Sequence, residues 1–265
     1  MNKKKKAILG TLLFATILTG AYVHNQAFVG VEKRLTIKNP KVKDDLKITH
    51  ISDFHSNVIS NLDDVLKNIR AFNPDLIFLT GDMIDYPTDK KIERTMFFLE
   101  NLSKLGIKIY YVSGNHEEVS NDSEVFYEKI KNLGIKKLDN EGENLIIGDN
   151  EVYIYGVPYW GMSLDEYMPE AGLNLILAHF SKNVRENYDP SMDIIFSGHT
   201  HGGQVRAPFI GALIAPGEGY FPDFDSGLYK YEESQIYVSS GLGNTFLPLR
   251  FLDPISYTNI TIVRP

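Results

Sequence analysis

The sequence predicts an α/β domain in which two sheets pack face to face with helices outside, a four-layer α/β/β/α sandwich. Three observations predict it. Short runs rich in β-branched and aromatic residues recur along the chain, each ending in a sharp polar turn. Segments with apolar residues at helical spacing lie between the first three runs. Several runs are apolar almost throughout, as expected for strands covered on both faces.

Taken in order, Lys3 to Lys6 form a basic cluster and Ala7 to Val23 an uncharged, mostly apolar run. That pattern is an address and stands apart from the fold. At about 17 residues the run is at the short end for a membrane span. Its best small-residue cleavage signal, Thr19-Gly20-Ala21, is poor. An uncleaved anchor with the lysines inside and the domain outside is therefore expected, ahead of a cleaved signal peptide or a core helix. The chain divides into an anchor or signal segment at 1–23, a tether and first strand at 24–44, and the main domain at 45–265. His24, at the end of the apolar run, is expected at an interface and not on a metal.

Strands are expected at Leu46–Ser52, Leu76–Thr80, Ile107–Val112, Leu173–Leu177, Asp193–Phe196 and Gln235–Val238. Leu62, Val65, Leu66, Ile69 and Phe72 share one helical face, with Asn61 as N-cap and Asp63 and Asp64 in the first turn. Asp89–Leu105 and Asp122–Leu133 show helical patterns too, the latter closing on Gly134. Glu143–Val157 predicts a hairpin turning at Asp149-Asn150. Tyr257–Val263 alternates like a half-buried strand.

Composition narrows the chemistry. The 265 residues suit one large domain. Cysteine is absent, which excludes disulfides, thiolate metal sites and Cys nucleophiles. A metal would rest on imidazole, carboxylate and amide ligands, suiting Mn, Zn or Fe better than copper(I). Net charge is −7, from 27 Lys and Arg against 34 Asp and Glu. Four of the lysines fall in the first 23 residues, so the remainder holds 23 against 34, or −11. A domain this acidic is a poor nucleic-acid binder, whereas bound divalent cations would supply local positive charge.

Five motifs end predicted strands, where open α/β sheets place their sites. They are Asp53-Phe54-His55, Gly81-Asp82, Gly114-Asn115-His116-Glu117, Ala178-His179 and Gly198-His199-Thr200-His201-Gly202-Gly203. In extended backbone, residues i and i+2 point the same way. Asp53 with His55, and His199 with His201, can each address one ion. Seven or eight N/O ligands are too many for one transition ion and suit two ions bridged by a shared carboxylate.

This set resembles the calcineurin-like metallophosphoesterase superfamily. With Gln204 after the last motif, Ser240-Gly241-Leu242-Gly243 and the basic N-terminal segment, it is similar to a bacterial membrane-associated group that includes YkuE-like and YaeI-like phosphodiesterases. The resemblance covers about residues 46–263. It implies a sandwich of two mixed sheets and a dinuclear centre. Asp53, His55 and His201 would bind one ion, Asn115, His179 and His199 the other, and Asp82 would bridge. A metal-bridging hydroxide would be the nucleophile. His116 would bind no metal; with Asp82 it would be catalytic, contacting the phosphate or protonating the leaving oxygen. The implied activity is hydrolysis of a phosphoester, a diester ahead of a monoester, on a lipid-linked or envelope substrate outside the cytoplasmic membrane, by a monomer. The alternative is a non-catalytic binding protein of the same fold. Pro248-Leu249-Arg250-Phe251 fits the family's tail, but Leu252-Asp253-Pro254-Ile255-Ser256 departs from it.

Other residues are placed by their surroundings. His50 is expected to pack in its strand. Glu117 is expected behind the ligands or facing solvent. Arg206 and Arg250 are candidate phosphate contacts. Tyr159, Trp160 and Tyr167 are expected in the core, with a substrate-facing wall as the alternative.

Overall fold

A computed structural model describes residues 3–85, 89–120, 123–169, 171–245 and 247–265. The chain begins with α1 (Lys3–Phe28), β1 (Val31–Lys38), β2 (Leu46–Ile51), α2 (Leu62–Phe72), β3 (Leu76–Thr80), α3 (Asp89–Ser103) and β4 (Lys108–Val112). There follow α4 (Asn115–Glu118), α5 (Ser123–Asn132), β5 (Lys136–Lys137), β6 (Gly142–Ile147), β7 (Asn150–Val157), β8 (Leu173–Ala178), α6 (Ser181–Glu186) and β9 (Ile194–Ser197). Two small ribbons come next, β10 (Arg206–Ala207) with β11 (Gly211–Ala212) and β12 (Ile214–Ala215) with β13 (Gly219–Tyr220). The chain closes with β14 (Gly227–Tyr231), β15 (Ser234–Val238) and β16 (Ser256–Val263).

Two six-stranded mixed sheets result, in the orders β1-β16-β2-β3-β4-β5 and β14-β15-β9-β8-β7-β6. Strand β3 shows why its sequence is apolar from Leu76 to Leu79. Leu76 and Phe78 enter the core between the sheets, whereas Ile77 and Leu79 enter the core under α2, α3 and α5. The period-2 alternation of a strand feeds two cores when both faces are covered. In the second sheet Leu175 and Leu177 point to the shared core, and Ile176 points to the outer cluster with Val184 of α6. The layers are thus helix, sheet, sheet, helix, as the sequence predicts.

The N-terminal segment is more ordered than a tether. Helix α1 continues past Val23 to Phe28, and β1 pairs in parallel with β16 along its full length. The junction is fixed by backbone bonds: Ile255 N donates to Gln26 O and Ser60 N to Phe28 O. The apolar run itself is exposed, which removes the core-helix reading. Among the described residues α1 is the one helix long and apolar enough to cross a membrane.

Three local expectations shift. Asn61 stands at the N-cap of α2 without a capping bond. Its amide instead clamps Gly30, accepting from the backbone N at 2.8 Å and donating to the carbonyl at 3.0 Å. The β6–β7 hairpin turns at Gly148-Asp149, one residue earlier than expected, because Ile147 pairs with Asn150 and Gly148 takes the left-handed φ of +57°. Helix α3 ends at Ser103, short of Leu105. The proposed start of α5 at Asp122 lies outside the described residues; Gly134 does follow its end with a φ of +76°.

Candidate metal centre

The site lies where the C-terminal ends of β2, β3 and β4 in one sheet meet those of β8 and β9 in the other. Crossing backbone bonds fix the loops: Asp53 N donates to Gly81 O, His55 N to Asp82 O, and Gly198 N to His179 O. Two glycines make the closeness possible. A Cβ on Gly114 would stand 2.2 Å from Asp82 Oδ1, and one on Gly198 2.3 Å from Asp53 Oδ2.

All seven sequence-predicted ligands converge. His201 Nε2 lies 3.5 Å from Asp53 Oδ1 and 3.1 Å from His55 Nε2. His179 Nε2 lies 3.2 Å from Asn115 Oδ1 and 3.1 Å from His199 Nδ1. Asp82 stands between these groups, its Oδ2 3.6 Å from His55 Nε2 and 3.3 Å from His179 Nε2. The donor set fits divalent ions. Atoms about 2.0–2.2 Å from a common ion sit about 3–3.5 Å apart, and the preferred donors are imidazole N and carboxylate O. The facing nitrogens of His55 and His201 are 3.1 Å apart, close enough to share one proton or to offer a lone pair each to a cation between them.

Electrostatics agree with a cation site. Burial lowers His55 to about 4 and His199 to about 3, and it takes His201 well below its ordinary value. Those rings are neutral at physiological pH, the state that ligates. Burial raises Asp53 to about 6. Burial opposes charge on Asp82 and His179 too, but their mutual attraction overrides it. It holds Asp82 far below the carboxylate range and lifts His179 to about 10. A cation would take over the role of the His179 proton. His179 Nδ1 sits 2.7 Å from Thr80 O, so that nitrogen donates and Nε2 faces the site.

The backbone is unusual here. Asp53, His55, Asp82, His199 and His201, five of the seven, have φ between +48° and +72°. Non-glycine residues adopt that region only when their surroundings over-determine it.

His116 stands apart from the buried set. It is the partly exposed imidazole of the cluster, with Nε2 3.9 Å from Asp82 Oδ2 and Nδ1 3.3 Å from Asp85 Oδ1. Burial lowers its proton affinity, but the hydrogen bond to Asp85 and the charge of Asp82 hold it above the ordinary histidine value. Asp85 was missed in the sequence, although Gly81-Asp82-Met83-Ile84-Asp85 places it three residues past the central carboxylate. Its other oxygen pairs with Lys91.

Glu117 lies behind the ligands and is fully buried, so it does not face solvent. Oε2 accepts from Asp82 N and Gly114 N, each at 2.9 Å, and Oε1 from Met83 N at 2.6 Å and Ile84 N at 3.0 Å. One carboxylate thus joins the β3 and β4 loops.

Both arginines are corrected as phosphate contacts. Arg250 is completely buried and donates to Ser240 O, Gly243 O, Asn244 Oδ1 and Asp253 Oδ2, with His201 O at 3.4 Å. It braces the His201 loop from behind, together with Asp253 of the tail that departs from the family pattern. Arg206 is held by Asp225 at 2.7 Å and by Gly202 O at 3.0 Å. Arg250→Ala is expected to destabilise the protein by about 3–5 kcal/mol, because buried Asp253 loses its contacting ion-pair partner and the carbonyls of Ser240 and Gly243 lose their donor. Denaturant titration checks this, and the KM of the folded fraction for an aryl phosphate should not change; a KM that rises with unaltered stability would restore Arg250 as a substrate contact.

The aromatic residues divide. Tyr167 is in the core. Trp160 is 68% exposed, so it is not core: β7 has ended and its loop turns outward. Tyr159 flanks the site, its ring 5.4 Å from His199 and 6.0 Å from His179. His50 packs in β2 against Thr80 Oγ1 at 2.7 Å, and His24 packs on Phe28; neither joins the site.

This arrangement of fold and donors defines a metallophosphoesterase. Residues 46–203 match the calcineurin-like phosphoesterase family, and the chain belongs to it. It is 29% identical over 241 residues to the uncharacterized metallophosphoesterase YkuE of Bacillus subtilis, covering 86% of this chain and 83% of that one. It is 27% identical to the phosphodiesterase YaeI of Escherichia coli over 76% of each chain. It is also similar to a zebrafish (Danio rerio) transmembrane protein with a metallophosphoesterase domain, at 25% identity over 85% of this chain and 55% of that one. The NAD nucleotidase of Haemophilus influenzae shares the fold, with a TM-score of 0.50 and 14% identity over 76% of this chain and 45% of that one. The expected superfamily and its YkuE-like and YaeI-like group are those found. The protein is a metal-dependent hydrolase of phosphoester bonds.

Proposed function

We propose that the chain is a membrane-anchored phosphodiesterase with a dinuclear centre, acting at the outer face of the cytoplasmic membrane on a lipid-linked or envelope phosphoester. The position of the Asp82 carboxylate between the two donor groups carries the dinuclear reading. Asp53, His55 and His201 would hold one ion and Asn115, His179 and His199 the other, with Asp82 serving both. Bound Mn, Zn or Fe would neutralise charge developing on the phosphoryl oxygens and make water nucleophilic near neutral pH.

The chain's own residues do the rest. Asp85 fixes the His116 ring through Nδ1, which leaves Nε2 at the open side of the cluster. Asp85 and Asp82 raise its proton affinity above the ordinary histidine value, which favours the protonated ring that would give a proton to the leaving oxygen. The buried carbonyl of Thr80 sets the His179 tautomer. The name of YaeI supports a diester substrate. The lysine-led α1 supports an anchor with the domain outside, and the acidic domain argues against nucleic acid as a partner.

The test is hydrolysis of bis-aryl and mono-aryl phosphates by the full chain with Mn, Zn, Fe or chelator. Activity indifferent to chelator would sink the dinuclear reading, and no activity with any metal would favour the non-catalytic alternative. His116→Ala is expected to slow turnover about 10²–10⁴-fold while metal content, read by elemental analysis, stays unchanged. Loss of an ion would make His116 a ligand.

A further inference from the structure

Residues 207–221 carry a single charge, Glu218, and that charge pairs inward with Arg185. The rest of this stretch is apolar or small, and apart from the buried Ala212 and Ala215 most of it points outward. Phe209 is fully exposed and Ile210 62% exposed at the tip of the β10–β11 ribbon; Tyr220 is 80% and Phe221 67% exposed at the end of β12–β13. Leu249 and Phe251 are exposed beside them. Large aromatic residues do not gather in water without something to cover them.

Two contacts say what covers them. Phe251 bridges Val205, accepts from Arg206 N and donates to Gln204 O, so it is stitched to the segment that follows His201. Phe251 also packs edge-on against Tyr22 of α1, with ring centroids 5.6 Å apart. Tyr22 lies inside the apolar run, about 9 Å along the helix before its end at Phe28. If α1 spans the bilayer, Tyr22 occupies the depth at which aromatic residues line the membrane–water boundary. Phe251 is at that depth beside it, and β12 packs against the His201–Gly203 turn, so the ribbons hang from the same rim.

We propose that the β10–β13 ribbons and the Leu249–Phe251 segment form a platform that inserts into the outer leaflet of the bilayer crossed by α1, so that the metal centre opens onto phospholipid-like headgroups. The occupant is lipid because the surface is continuous with the membrane helix and nearly free of charge. The inference rests on the anchor proposed above and narrows the substrate class to amphipathic phosphodiesters presented in a membrane.

The full chain is reconstituted into phosphatidylcholine–phosphatidylglycerol vesicles and floated on a density gradient. With Trp160→Phe removing the native tryptophan, Phe209→Trp reports the environment of the ribbon tip. Its emission is expected to shift to shorter wavelength and to be quenched by lipids brominated in the upper acyl chain. Phe209→Ser with Ile210→Ser is expected to lower kcat/KM about tenfold or more on a vesicle-borne phosphodiester, with turnover of soluble bis-aryl phosphate unchanged. A Phe209→Trp protein that floats but keeps long-wavelength, unquenched emission overturns the platform and spares the anchor; short-wavelength emission without bromolipid quenching indicates a protein partner or second copy and also overturns it. A protein that does not float overturns the anchor and the platform together. An equal loss on both substrates would likewise refute the platform.

Discussion

On the dinuclear reading proposed above, Asp82→Ala is expected to lower kcat/KM for a bis-aryl phosphate by about 10³-fold or more, since a ligand shared by two ions would support several kcal/mol of transition-state charge. Its carboxylate is the only one within 4 Å of both donor groups among the described residues. Both ions should be affected, so elemental analysis should find no more than one ion per chain. Asp82→Asn should retain part of the binding, because an amide oxygen still ligates, but it should lose activity to a similar degree. A variant with full metal content and near-normal turnover would show that Asp82 serves only to pair with His179.

Glu117→Gln should have the largest effect on stability of any single-atom replacement in the domain. Each oxygen of the carboxylate accepts two backbone N–H groups. An amide nitrogen in place of either oxygen would face two donors with a third. Buried donors left without acceptors cost about 1–3 kcal/mol each, so a loss of about 2–4 kcal/mol is expected from denaturant titration. Because the same bonds position Asp82 and the Asn115 loop, metal affinity should fall with stability. Loss of activity at unchanged stability and metal content would instead mean that Glu117 acts directly on substrate.

Most strands of both sheets were legible because two-sided burial demands almost wholly apolar runs, as in Leu76–Thr80 and Leu173–Ala178, whereas the edge strands β5 and β14 carry no such run. The convergence of the seven candidate side chains was legible for a related reason: Asp, Asn and His beside glycine at strand ends have no packing role. What failed was everything decided by neighbours distant in sequence. Asn61 looks like a cap, but its amide is engaged by Gly30, 31 residues away. Arg250 looks like a phosphate contact because guanidinium suits phosphate. Only the folded tail shows that four backbone carbonyls, the Asn244 amide and the Asp253 carboxylate already occupy it. Trp160 looks like core by composition, yet β7 ends at Val157 and the loop that carries Trp160 turns outward. Asp85 stands three residues past Asp82 in the sequence, but its role shows only once His116 is folded against it.

The left-handed backbone at Asp53, His55, Asp82, His199 and His201 bears on how this enzyme could be altered. Each such position costs on the order of 1 kcal/mol or more relative to relaxed backbone. Substitution by glycine would relieve that cost and delete a ligand in the same step. Selection of this protein for heat resistance alone should therefore drift toward glycine at His55, His199 or His201, whose rings burial keeps neutral, rather than at Asp82, whose loss would strand His179, and yield hardier molecules that no longer turn over. Thermal screens need a catalytic filter at these five sites, whereas ordinary positions on the helices outside can be varied freely.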